Sequence, residues 1–167
     1  ISQMLYAMEG AGVKPNDFVV VQGMGGLGLY TSAICDVMGA NVIAVDAVDD
    51  RLEEAKAFGA KYTIDMKQFP TKEERYAEIT KITGKKGPDI VVDVAGVPSA
   101  FDEAVRMAKI GGTIVEIGNV SIEESQCTSV IPGLIVRKCL TIKGVLRYQP
   151  YYLYRTLQFL ARYHDTY

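Results

Sequence analysis

The chain is predicted to fold as a doubly wound α/β domain with six parallel strands in the order 3-2-1-4-5-6 and helices on both faces. Three observations carry that prediction. Apolar strand-like runs alternate with helical patterns from Phe18 onward. The first run, Phe18-Val-Val-Val-Gln22, feeds directly into Gly23-x-Gly25-Gly26-x-Gly28 and then a helix. The second, Asn41-Val-Ile-Ala-Val-Asp46, ends in an acid 18 residues past Gly28. Alternation of this kind implies a parallel sheet, because right-handed crossovers leave few other arrangements. The glycines and the acid together form the pattern of a Rossmann dinucleotide site.

The elements follow in order. The helix from Gly26 to about Met38 carries Leu29, Ala33 and Val37 at helical spacing and stops at Gly39. Asp49 to Phe58 is the next, with Leu52, Ala55 and Phe58 on one face and Gly59 behind it. Lys61–Asp65 reads as the third strand, and Thr71–Thr83 as a charged helix with Tyr76, Ile79 and Ile82 inward. Gly87-Pro88 breaks the chain before Asp89–Val94, a strand apolar enough to be buried on both sides. Pro98 suits the first position of a helix reaching about Ala108. Gly111-Gly112 then turns into the fifth strand, Thr113–Ile117, and Cys139–Gly144 is the sixth. Pro150 opens a last helix with Leu153, Leu157 and Leu160 as its inner stripe. The stretch from Val120 to Lys138 is too long for a plain loop, and is expected to contain a short helix around Leu134 and an edge segment able to pair with another subunit.

Each glycine of the turn has a physical reason. Gly23 makes the tight turn, Gly25 lets backbone approach phosphates with no Cβ in the way, and Gly28 allows the helix to pack closely on the strand. Phosphate oxygens would then meet free N–H groups at a helix N-terminus. A carboxylate at Asp46 can accept hydrogen bonds from both adenosine ribose hydroxyls and would repel a 2′-phosphate, which argues for NAD over NADP. The competing reading makes Asp46 a cap for the following helix. Ligands of such sheets bind where strand order reverses, so the Gly23 turn, Asp46, Ala95-Gly96-Val97 and Gly118-Asn119 are expected to line one crevice.

Composition narrows the function. With 18 Lys and Arg against 20 Asp and Glu, interspersed, the chain offers no electrostatic footprint for nucleic acid or an anionic membrane. No apolar stretch reaches the roughly 20 residues that span a bilayer, and no signal-like segment opens the chain. Cys35, Cys127 and Cys139 are widely spaced with no C-x-x-C pair, and His164 is the only histidine. Neither a disulfide framework nor a clustered zinc site is expected. The cysteines read as small buried hydrophobes in a reducing, cytoplasmic compartment.

Several motifs in order, Val13-Lys-Pro-Asn-Asp-Phe-Val-Val-Val-Gln-Gly-Met-Gly-Gly-Leu-Gly28, Met38–Asp46, Arg51–Lys61 and Gly111–Gly118, resemble the medium-chain dehydrogenase/reductase family, with the closest likeness to zinc-type alcohol and polyol dehydrogenases. The resemblance implies that residues 1–10 are a linking helix from a catalytic domain and 11–167 the NAD-binding domain inserted in it. It assigns Gly23, Gly25, Gly26, Leu27 and Gly28 to the pyrophosphate turn, Asp46 to the ribose and Arg51 to the neighbourhood of ribose and phosphate. Val94, Ala95, Ile117, Gly118 and Asn119 match strand ends whose backbone contacts the cofactor, the last three nearer the nicotinamide. Leu146 and Arg147 match a segment beside the carboxamide and substrate, although Arg147 departs from the apolar residue often found there. The resemblance further implies a zinc ion held by the catalytic domain, not by these residues, acting as a Lewis acid on a small alcohol, polyol or ketone substrate. A zinc-free NADPH-dependent quinone or enoyl reductase, a methyltransferase using S-adenosylmethionine and a non-catalytic nucleotide sensor are the competing readings. Asp46 weighs against the first and the Gly-x-Gly-Gly-x-Gly turn against the second.

Overall fold

Helix α1 (Ser2–Ala11) precedes an alternating series: β1 (Phe18–Gln22), α2 (Gly26–Val37), β2 (Asn41–Asp46), α3 (Asp49–Ala57), β3 (Ala60–Asp65), α4 (Lys72–Ile82), β4 (Ile90–Asp93), α5 (Pro98–Met107), β5 (Thr113–Glu116), α6 (Pro132–Arg137), β6 (Thr141–Gly144) and α7 (Tyr151–Tyr163). The computed structural model describes residues 1–84 and 86–167. All six strands pair in parallel in the order β3-β2-β1-β4-β5-β6, as the alternation predicts. A single-turn 3-10 segment at Glu124–Gln126 and α6 occupy the long connection before β6, so the helix expected around Leu134 is present.

Side chains alternate across a strand, so one run of apolar residues serves two cores. Val19 and Val21 of β1 join Val42, Ala44, Ile90, Val92 and Val115 on the face covered by α1, α2, α3 and α7. Val20, Ile43, Val91 and Ile114 meet Ile79 of α4 and Ala104, Val105 and Met107 of α5 on the other. Burying each such side chain contributes on the order of 1.5–3 kcal/mol. That is why the central strands tolerate almost no polar residue until their carboxyl ends. Helix α1 belongs to the first core through Met4, Leu5, Ala7 and Met8.

The polar face of α4 is rotated by one residue from the expected position. Tyr76 is exposed, and Arg75, at 5% exposure, takes the inward place beside Ile79. Its guanidinium donates to both Glu103 carboxylate oxygens at 3.0 and 2.6 Å and to the Phe69 and Pro70 carbonyls, so the buried charge is fully partnered. Thr71 and Glu74 close a capping box at the start of this helix. In α7 the inner stripe is Tyr152, Thr156, Phe159 and Tyr163, and the predicted Leu153 and Leu157 lie outside. Glu9 of α1 fixes this choice by accepting from the Tyr152 hydroxyl at 2.9 Å and Arg155 at 2.6 Å. Val37 is also at the surface, replaced inside α2 by Ile34 and Cys35. Cys35 alone of the cysteines is buried. Cys127 and Cys139 are exposed, both lying in the connection that precedes β6.

Candidate functional site

The site forms where strand order reverses, between β1 and β4. Gly23 adopts φ +95°, and a Cβ there would lie 2.8 Å from Ala95 Cα, so the turn is pressed against the end of β4. Gly28 is tighter still: a Cβ would fall 1.9 Å from the Gly23 carbonyl oxygen. Gly25 and Gly26 differ, since a Cβ on either would meet nothing within 4 Å and Gly25 has an ordinary extended backbone. Helix α2 begins here with Gly25 as N-cap, no side-chain cap and no acid in its first turn. The N–H groups a helix leaves unpaired at its start therefore have no compensating side chain beside them.

Asp46 ends β2 directly beside this turn. Its Oδ2 accepts from Met24 N–H at 2.6 Å, and its Oδ1 from Ala47 and Val48 N–H at 2.7 and 2.9 Å. Three of the roughly four acceptor positions of a carboxylate are thus filled. The acid pins the glycine turn and the two residues before α3, but it does not cap that helix, whose N-cap is Val48 with no side-chain cap. The half-exposed Arg51 guanidinium stands 3.8 Å away.

Gly23, Gly25, Asp46, Arg51, Val94 and Ala95 line a single crevice of about 350 Å³. Gly26, Leu27 and Gly28 continue from it along the first turn of α2, with Leu27 exposed. Ile117 is buried in the α2-side core. Gly118 packs behind the crevice, its N–H donating to the Asp93 carbonyl and its Cα so close to Gly96 that a Cβ would sit 2.6 Å from that nitrogen. Asn119 binds the carboxylates of Asp93 and Glu116. Leu146 and Arg147 lie exposed beyond β6, outside the crevice.

Sequence reasoning missed three polar residues at the strand ends, of which Gln22 and Asp93 are buried and Glu116 half-buried. Gln22, Asp93 and Glu116 are register neighbours across β1, β4 and β5 on the α5 face. Among the described residues the Gln22 side-chain Oε1 and Glu116 Oε2 have no partner. The available signal was an acid or amide closing an otherwise apolar run, a place where burial makes a polar residue costly.

Residues 26–162 match the family model described as zinc-binding dehydrogenase. The chain is 33% identical over 149 residues to D-xylulose reductase of Saccharomyces cerevisiae, covering 89% of this chain and 41% of that protein. The structure superposes on an alcohol dehydrogenase from Thermotoga maritima with a TM-score of 0.90 at 26% identity, over 99% of this chain and 45% of the other. An alcohol dehydrogenase from E. coli CFT073, solved in complex with NADH, gives 0.82 at 29% identity, over 96% and 45%. The chain thus spans less than half the length of these relatives. Residues 26–162 hold Gly26, Gly28 and Asp46, and the chain belongs to the zinc-binding dehydrogenase family.

Proposed function

We propose that this chain is the NAD(H)-binding domain of a zinc-dependent alcohol or polyol dehydrogenase, positioning nicotinamide for hydride exchange with an alcohol or ketone. The observation that carries the reading is the meeting, at the reversal of strand order, of an open glycine turn, an uncapped helix start and a carboxylate pinned to that turn. The empty space over Gly25 and Gly26 suits a pyrophosphate approaching the N–H groups of Gly25, Gly26 and Leu27. Asp46 retains about one open acceptor position for a ribose hydroxyl, and its charge disfavours a 2′-phosphate, with Arg51 alongside. Val94 and Ala95 would contact the cofactor through their backbone, with Ile117, Gly118 and Asn119 nearer the nicotinamide and Leu146 and Arg147 the outermost contacts. NAD, when bound, supplies the hydride acceptor or donor at its nicotinamide ring.

Zinc does not fit this donor set. Among the described residues no three His, Cys, Asp or Glu side chains come together, and His164 has only Asp165 beside it. The metal and the substrate pocket are therefore assigned to the remainder of a longer protein, and no step is routed through zinc here. Among the described residues no helix is long and apolar enough to cross a membrane, and we propose a cytoplasmic setting on composition. The unpaired edge of β6, with Ile142 exposed and Val120, Ile122 and Val136 nearby in the 120–144 segment, supports self-association there.

Calorimetric titration tests the cofactor reading. NADH is expected to bind this chain at least about tenfold more tightly than NADPH, since a charge-assisted hydrogen bond contributes about 1.5–3 kcal/mol. Equal affinity for the two would remove Asp46 from the ribose site.

A further inference from the structure

Asp93 and Glu116 face each other in register at the carboxyl ends of β4 and β5, so their side chains leave the sheet on the same side. Asp93 is fully buried, at 0% exposure. The Asn119 side-chain amide spans the pair, 3.1 Å from Asp93 Oδ2 and 3.0 Å from Glu116 Oε1, and the Asn119 N–H donates to the same Glu116 oxygen at 3.0 Å. The Ala95 N–H donates to Asp93 Oδ1 at 3.0 Å. Glu116 Oε2 is buried with no donor. The like charges of buried Asp93 and half-buried Glu116, and the orphaned acceptor, are all relieved by a single proton held between the carboxylates.

Among the described residues neither acid has an ion pair. Gln22 on β1 and Gly144 on β6 are the uncharged register neighbours, and Glu116 and Asn119 border an open pocket of about 280 Å³ lined also by Pro98, Phe101, Gln126 and Thr128. Asp102 and Glu103, the acids of α5, are paired with Lys72, Arg106 and Arg75. Burial pushes the Asp93 carboxyl up to about 7, the Ala95 hydrogen bond opposes this, and Glu116 adds to the rise.

We propose that Asp93 and Glu116 share one proton, and that this proton holds the Ala95 and Asn119 backbone in the arrangement that grips the cofactor, so the grip loosens as the proton is lost. The coupling rests on the cofactor reading above. Loss of the proton sets two carboxylates against each other, and the groups hydrogen-bonded to them must shift. Gly96 and Gly118 are so closely packed that the two loops move together. Both acids are positioning residues in this scheme.

The test compares the chain with its Glu116→Gln variant between pH 6 and pH 9. Glutamine Oε1 can keep both Asn119 bonds, and its Nε2, in place of the orphaned oxygen, donates to Asp93 at every pH. In the original chain NADH affinity, followed by fluorescence, is expected to fall about tenfold across this range, the change that one pK unit of coupling produces. The melting temperature should fall as pH rises to about 7 and level off above it, and an infrared band of a protonated buried carboxyl should disappear as pH rises through about 7. The variant should show a flat affinity profile. An unchanged pH dependence in the variant, or no protonated carboxyl in the original chain at pH 6, overturns the proposal. If Glu116→Gln does not fold, the infrared titration of the original chain decides alone. Absence of NADH binding at pH 6 would refute the cofactor reading and the coupling with it, while the infrared and melting profiles would still decide the shared proton.

Discussion

Gly25 and Gly28 are glycines for opposite reasons. A methyl group on Gly28 collides with the Gly23 carbonyl, whereas one on Gly25 projects into space no protein atom occupies. Gly28→Ala is therefore expected to lower the melting temperature. Gly25→Val should leave the circular dichroism spectrum and melting temperature close to the original while NADH affinity collapses. Unimpaired binding by Gly25→Val would mean the phosphates lie elsewhere. Asp46 combines both kinds of role. Asp46→Ser should narrow the preference for NADH over NADPH and also cost about 1–3 kcal/mol of stability, because the buried Met24 N–H loses its acceptor. A denaturant midpoint unchanged by Asp46→Ser would show that the turn does not depend on the carboxylate. These positions were legible because turn geometry restricts residue type so strongly. Asp93 and Glu116 were not, because nothing in a single strand reveals which residue of the next strand lies beside it.

The elements show where periodicity stops being informative. In α4, positions 75, 79 and 82 and positions 76, 79 and 82 both satisfy helical spacing, and Tyr is the more apolar of the two candidates. Arg75 nevertheless turns inward, because Glu103 on α5 and two carbonyls of the preceding loop are there to receive it. Truncating the partner tests this arrangement. Glu103→Ala strands a buried guanidinium and is expected to destabilise the fold by about 3–5 kcal/mol in urea unfolding. A loss within about 0.5 kcal/mol, typical of surface positions, would mean that the ion pair is not needed. In α7 two apolar stripes run side by side, and a hydrophobic pattern cannot choose between them. A hydrogen-bonded partner more than 140 residues away, Glu9, makes the choice.

At the scale of the molecule, strand order, layer arrangement and the position of the crevice all followed from alternation and one glycine motif. The chemistry of a complete enzyme did not, because this chain contributes less than half the length of its relatives. The chain alone is expected to bind NADH yet to produce none from a panel of alcohols and polyols, with or without added zinc. Stoichiometric zinc in metal analysis, or clear turnover, would place a reaction centre within these residues. The joint between α1 and α7 has a different consequence, one of timing. Ser2 bonds to Thr156 and Gln3 to the carbonyl of Val145, so α1 meets its second helical neighbour only after the six strands between them have been made. Until then Met4 and Met8 have α2 and a partial sheet to cover them. During synthesis the side of α1 that α7 will cover thus stays open while the sheet is being completed.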